Sequence, residues 1–156
     1  MDQDFDLALK MTLQLVQDIL EYFQGNEMNE ILVDPYLIAS SIYLQQQKVQ
    51  ESTVYLQKAE QVVLANSGEI NDKMLEIHNQ RIHLCMMLQQ FEPAVNIMQQ
   101  RNALALQIYG IDSEQYCEML EEEGVFNYQM NRQPQALAIM QKLVRALKDI
   151  HGTENH

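Results

Sequence analysis

Apolar residues return along this chain at helical spacing, in segments that each run out at a glycine. Over residues 3–25 a single stripe holds Phe5, Leu9, Leu13, Val16, Leu20 and Phe23, with Gly25 placed as the stop. Residues 33–47 carry Val33, Tyr36, Ala39, Ser40 and Tyr43 on one side, and Pro35 suits a first turn, where the amide has no intrahelical acceptor. A second helix is expected from about 50 to 66, closed by Asn66, Ser67 and Gly68. The plan recurs as helices over 72–89 and 92–108, turning at Phe91 and Pro93 and ending at Gly110. It recurs again over 113–130, capped by Asp112-Ser113-Glu114, and over 134–150, started by Pro134. No useful length of chain alternates with a period of two, and all three prolines fall at helix starts, so the pattern predicts an all-α protein.

The helices come in copies. Ser52, Ala94 and Ala136 stand 42 residues apart, as do Gln47, Gln89 and Asn131, then Leu56, Met98 and Met140, then Gly68, Gly110 and Gly152. A repeat of this length without strands means stacked helix pairs, each burying its apolar face only against its neighbours and leaving a concave wall free to bind. The expected organisation is one domain over 1–156: an N-terminal helix (3–25) and repeats at 33–68, 72–110 and 113–152.

Composition narrows the function. The 156 residues suffice for one domain, and no stretch reaches the roughly 18 uninterrupted apolar residues of a membrane span. The start, Met1-Asp2-Gln3-Asp4-Phe5-Asp6, is acidic, unlike an export signal. Cys85 and Cys117 lie on different predicted helices without CxxC spacing, so free thiols in a reducing, cytoplasmic setting are expected. A net charge of -12 with ten scattered Lys and Arg argues against nucleic acid as a partner. The short glutamine runs lie inside apolar periodicity and suit solvated helix faces.

Tyr36, Ala39, Ser40 and Tyr43, followed by Val49, Ser52, Leu56 and Ala59, resemble the large, apolar, small and aromatic positions of the tetratricopeptide repeat. Gly124, Asn131 and Ala136 supply the small, turn and contact residues of the third copy, whereas the second departs, with His78 and Arg81 at large apolar positions. The 42-residue length is similar to the repeats of kinesin light chains, and Leu106 to Asp112 and the tail from Ile150 also resemble linkers in the C-terminal repeats of SET and MYND-domain lysine methyltransferases. The resemblance implies a right-handed α-solenoid of about seven antiparallel helices that binds protein segments and is not an enzyme.

In that family peptides lie along the inner face of the first helices. By position this face would hold Leu37, Ser41 and Leu44, then Glu76, Asn79, His83 and Met86, then Glu118, Glu121, Glu122, Val125 and Tyr128. The clamp that grips the carboxylate of chaperone tails is replaced by Leu37, Ser41, Gln80, Glu118 and Glu122, which argues against that ligand. Carboxylates three and four apart share a helix face, and the run at 118–123 would favour a basic or neutral segment unless it is only a solvated surface. Met86, Met87, Met98 and Met140 could form an adaptable surface or fill the core.

No catalytic, cofactor or metal site emerges. His78 and His83 are five apart, His83 and Cys85 two apart, and neither spacing aims two side chains at one point on a helix. Residues 134–150 carry too many apolar side chains for one buried stripe, and the first helix is apolar on more than one side. One or both are therefore expected to dock on another protein or a second copy. Besides an adaptor or scaffold, the sequence allows a structural subunit held through these apolar ends in a larger assembly, cytoskeletal or ciliary, or a regulatory domain of an enzyme.

Overall fold

A computed structural model describes residues 2–154, with side chains from 3 to 152. Its helices are α1 (Asp2–Tyr22), a 3-10 turn (Glu30–Leu32), α2 (Val33–Gln45), α3 (Val49–Ser67), α4 (Asp72–Met87), α5 (Phe91–Tyr109), α6 (Glu114–Gln129) and α7 (Gln133–Glu154). Among the described residues all regular structure is helical.

The 42-residue period has a backbone cause. Helices α2, α4 and α6 stop at Gln45, Met87 and Gln129, and the next ones begin at Val49, Phe91 and Gln133. Between them Gln47, Gln89 and Asn131 hold φ of 62°, 55° and 59°, the left-handed conformation. The amide after each reaches back to a carbonyl of the last turn: Lys48 to Tyr43, Gln90 to Cys85 and Arg132 to Asn127, each at 2.8 Å. The left-handed residue's own amide bonds Leu44, Met86 or Tyr128. This paired closure satisfies carbonyls that a helix end leaves orphaned. The N-terminal helix closes the same way, with Gln24 at φ 58° and the Gly25 amide on the Leu20 carbonyl at 2.6 Å.

The glycine column divides. Gly68 (φ 75°, ψ -168°) and Gly110 (φ 90°, ψ 167°) occupy a region essentially closed to other residues, and each ends a helix. Gly152 does not: α7 continues through it to Glu154, so the expected stop of the third pair is absent. The first two glycines turn the chain into another helix, a demand that the described residues after Gly152 do not make.

The chain forms two compact units, one up to Gln80 and one from Arg81, with the boundary inside α4. In the first, α2 packs on α3 and α1 on α2. Leu32, Tyr36, Ala39, Leu56, Ala59 and Val62 are buried there, each large aliphatic side chain contributing about 1.5–3 kcal/mol by leaving water. Where α2 and α3 cross, Ser40 donates to the Ser52 carbonyl at 3.0 Å and Ser52 to the Ser40 carbonyl at 2.9 Å, both residues fully buried. Lys73 Nζ, early in α4, pairs with Asp34 at 2.8 Å.

In the second unit α6 packs against α5 and α7. Ile82, Ala94, Val95, Met98 and Phe126 form the core, with the Phe91 and Phe126 rings 6.2 Å apart. Ser113 caps α6 by accepting the Tyr116 amide. Gly124 lets α7 approach: a Cβ there would lie 2.7 Å from the Met140 methyl. Cys117 is buried and Cys85 half-buried, both free thiols pushed up in pKa chiefly by burial.

Candidate protein-binding site

Helix α6 contributes to a buried polar network and to a cavity. Its inner side buries Glu123 and Asn127 as well as Leu120 and Phe126. Arg101 of α5, only 2% exposed, organises the polar part of this face. Its Nε donates to Asn102 Oδ1 at 3.1 Å, and its Nη1 meets Glu122 Oε2 at 3.0 Å. Asn102 in turn donates to Glu123 Oε2 at 3.1 Å and to the Met119 carbonyl at 3.2 Å. Burial raises the Glu123 carboxyl above its ordinary pKa, opposed first by the Asn102 hydrogen bond and then by the charges of Lys142 and Arg101.

An adjoining side of α6, sharing Glu122 and Phe126 with the inner one, faces a cavity of about 420 Å³. Ile82, Met86, Met98, Val125 and Phe126 give it an apolar floor, while His83, Glu118, Glu121, Glu122 and Gln129 form a polar rim. Such a volume is near the small end of ligand clefts, roughly 300–1,000 Å³, and admits one or two large side chains of a peptide. Glu118 and Glu121 are exposed, whereas Glu122 is committed to Arg101. The cavity therefore offers apolar contact with two uncommitted carboxylates at its mouth.

Six of the twelve residues expected at a binding face thus converge here: His83, Met86, Glu118, Glu121, Glu122 and Val125. Tyr128, 67% exposed, lines an adjacent furrow with Val125, Leu137 and Met140. The rest belong to the first unit. Leu37 is buried, so its side chain is core and not a surface contact. Ser41, Leu44 and Asn79 are half-buried, and Glu76 is exposed with its carboxylate 3.7 Å from Lys73 Nζ.

The sequence reading left Ile82 and Phe126 out of the cavity floor and missed the part played by Arg101. The spacing of Glu118, Glu122, Val125, Phe126 and Gln129 on one helix held a signal for the floor. It also missed a cavity of about 350 Å³ in the first unit, lined by Leu13, Leu20, Tyr36, Tyr55 and Lys58 among others. There Lys58 Nζ lies 5.0 Å from the Tyr55 ring centre and 5.9 Å from that of Tyr36. Among the described residues no group of three or more His, Cys, Asp or Glu is gathered to hold a metal ion, and no helix is long and apolar enough to cross a membrane.

No protein-family model and no curated relative matches the sequence. The folded chain does have a solved neighbour, the crystal structure of BtubC (BKLC) from P. vanneervenii, a kinesin light chain-like protein of the tetratricopeptide type. The two superpose with a TM-score of 0.78 at 16% identity, over 95% of this chain. The fold is a tetratricopeptide-like helical repeat. This chain spans 57% of the BtubC chain, and at such low identity the likeness extends to the fold alone. Within this fold α4 and α6 are first helices of their pairs, the elements from which the sequence reading drew its binding face.

Proposed function

We propose that the protein is a noncatalytic interaction module that holds a segment of a partner protein in the α4–α5–α6 cavity of its second unit. The observation that carries this reading is the pairing of an apolar floor at Met86, Met98 and Phe126 with the exposed carboxylates of Glu118 and Glu121. The floor takes one large apolar side chain, and the rim selects basic neighbours on either side of it. The helical-repeat fold supports a protein partner.

The test uses two fluorescent peptides, each with a central Leu or Phe, flanked by lysines in one and by glutamates in the other. The lysine peptide is expected to bind and the glutamate peptide to fail. Reversing Glu118 and Glu121 to Lys, with Glu122 kept to hold Arg101, is expected to weaken the lysine peptide by about tenfold or more, because each exposed pair is worth up to ~1 kcal/mol. Equal binding of both peptides, or no effect of the reversal, would overturn the assignment.

A further inference from the structure

A second surface of this chain asks for a helix. Ala94, Val95 and Met98 of α5 are buried under α6, with Phe126 in the same cluster. Forty-two residues on, the equivalent positions of α7 are Ala136, Leu137 and Met140, and there Leu137 is 61% exposed. The apolar strip continues along α7 through Val144 and Leu147, both exposed, and borders the furrow that Val125 and Tyr128 also line. Arg145 and Lys148 flank the strip at helical spacing. In a chain of net charge -12, this is a basic edge on an apolar helix face.

The complement stands on α1. Leu7, Met11 and Leu15 make an exposed apolar strip, with Lys10 beside it and with Asp4 and Asp18 one turn before and after it. A rise of 1.5 Å per residue makes the α1 strip about 12 Å long and the α7 strip about 15 Å, so the two match in reach as well as in charge. We infer that the α7 face of one copy receives α1 of a second copy: Leu7, Met11 and Leu15 pack on Leu137, Val144 and Leu147, and Asp4 and Asp18 approach Arg145 and Lys148. This contact joins different patches of the two copies and so builds chains or rings of subunits, not a two-fold dimer.

The test is sedimentation velocity of the full chain over a range of concentrations at low salt. The native protein is expected to self-associate, less strongly as salt rises. Leu137→Asp and Met11→Asp change exposed side chains, so each variant should keep the native circular dichroism, and each alone should be monomeric. An equimolar mixture of the two retains one intact α1 face and one intact α7 face, and should form dimers and nothing larger. A chain carrying D4K, D18K, R145E and K148E together should regain the association that either charge reversal alone loses. Native protein that stays monomeric up to about 1 mM would overturn the inference. So would association that persists in Met11→Asp alone, since α7 would then be pairing with something other than α1.

Discussion

The turns at Gln47 and Gln89 place exposed, unbranched residues in a conformation that L-amino acids avoid, and replacing either by glycine should make the protein more stable. The left-handed conformation costs an L-residue about 1–2 kcal/mol through the clash of Cβ with the following carbonyl. Glycine escapes that clash but gives the unfolded chain more freedom, which takes back about 0.5–1 kcal/mol. Both side chains are exposed, so no buried contact is lost. The net expectation for Gln47→Gly or Gln89→Gly is a gain of about 0.5–1 kcal/mol, or about 1–4 °C in Tm for a chain of this size. Two companions supply the controls. Asn131 tolerates the same geometry through its short polar side chain, so Asn131→Gly should change little. Gln100 is exposed in the middle of α5, where glycine costs about 0.5–1 kcal/mol, so Gln100→Gly should lose that much. Urea titration and thermal melts of the four variants would test the ordering. A loss of stability in Gln89→Gly comparable to that in Gln100→Gly would refute the reasoning.

Glu123 should make stability depend on pH in a direction opposite to that of a salt-bridged carboxylate. Its folded pKa is raised by burial, so its ionisation opposes folding above that raised value, and the penalty is relieved as pH falls toward the ordinary value near ~4.3. Glu123→Gln should therefore be more favourable, relative to the native chain, at about pH 7.5 than at about pH 5, as read from urea unfolding at each. Arg101→Lys should cost about 1–3 kcal/mol, because one ammonium cannot reproduce the guanidinium's simultaneous bonds to Asn102 and Glu122; a thermal shift within error of zero would refute it. A double-mutant cycle of Ser40→Ala and Ser52→Ala should show single losses of about 1 kcal/mol and a coupling of at least ~0.5 kcal/mol through the 3.0 Å hydroxyl contact. Strict additivity would mean that the two hydroxyls act independently.

Helix content, helix order and the 42-residue period could all be read from the sequence, because they depend on apolar spacing and on turn residues that recur locally. The Ser113 cap and the stops at Gly68 and Gly110 were likewise visible as single residues with one obvious use. Gly152 misled because a glycine in a helix costs only about 1 kcal/mol and stops nothing by itself. The candidate site was readable in part. Charged residues on α6 announce a face, but which of them are free depends on Arg101, which contacts Glu122 across 21 residues of sequence. Leu37 was misplaced for a related reason: a leucine looks the same in a sequence whether it lines a groove or fills a core, and only packing separates the two.

The closing turns bear on how such a protein can change. Each is held by main-chain amides donating to main-chain carbonyls, so the instruction to reverse direction is written in a backbone conformation and hardly at all in side-chain identity. Glutamine serves at 47 and 89 and asparagine at 131, and neither side chain needs to touch anything for the turn to close. The sequence can then wander far while its architecture stays put, as it does against a solved chain with which it shares 16% of its residues and a TM-score of 0.78. In such a fold the conformation that reverses the chain is kept separately from the side chains that the helices display.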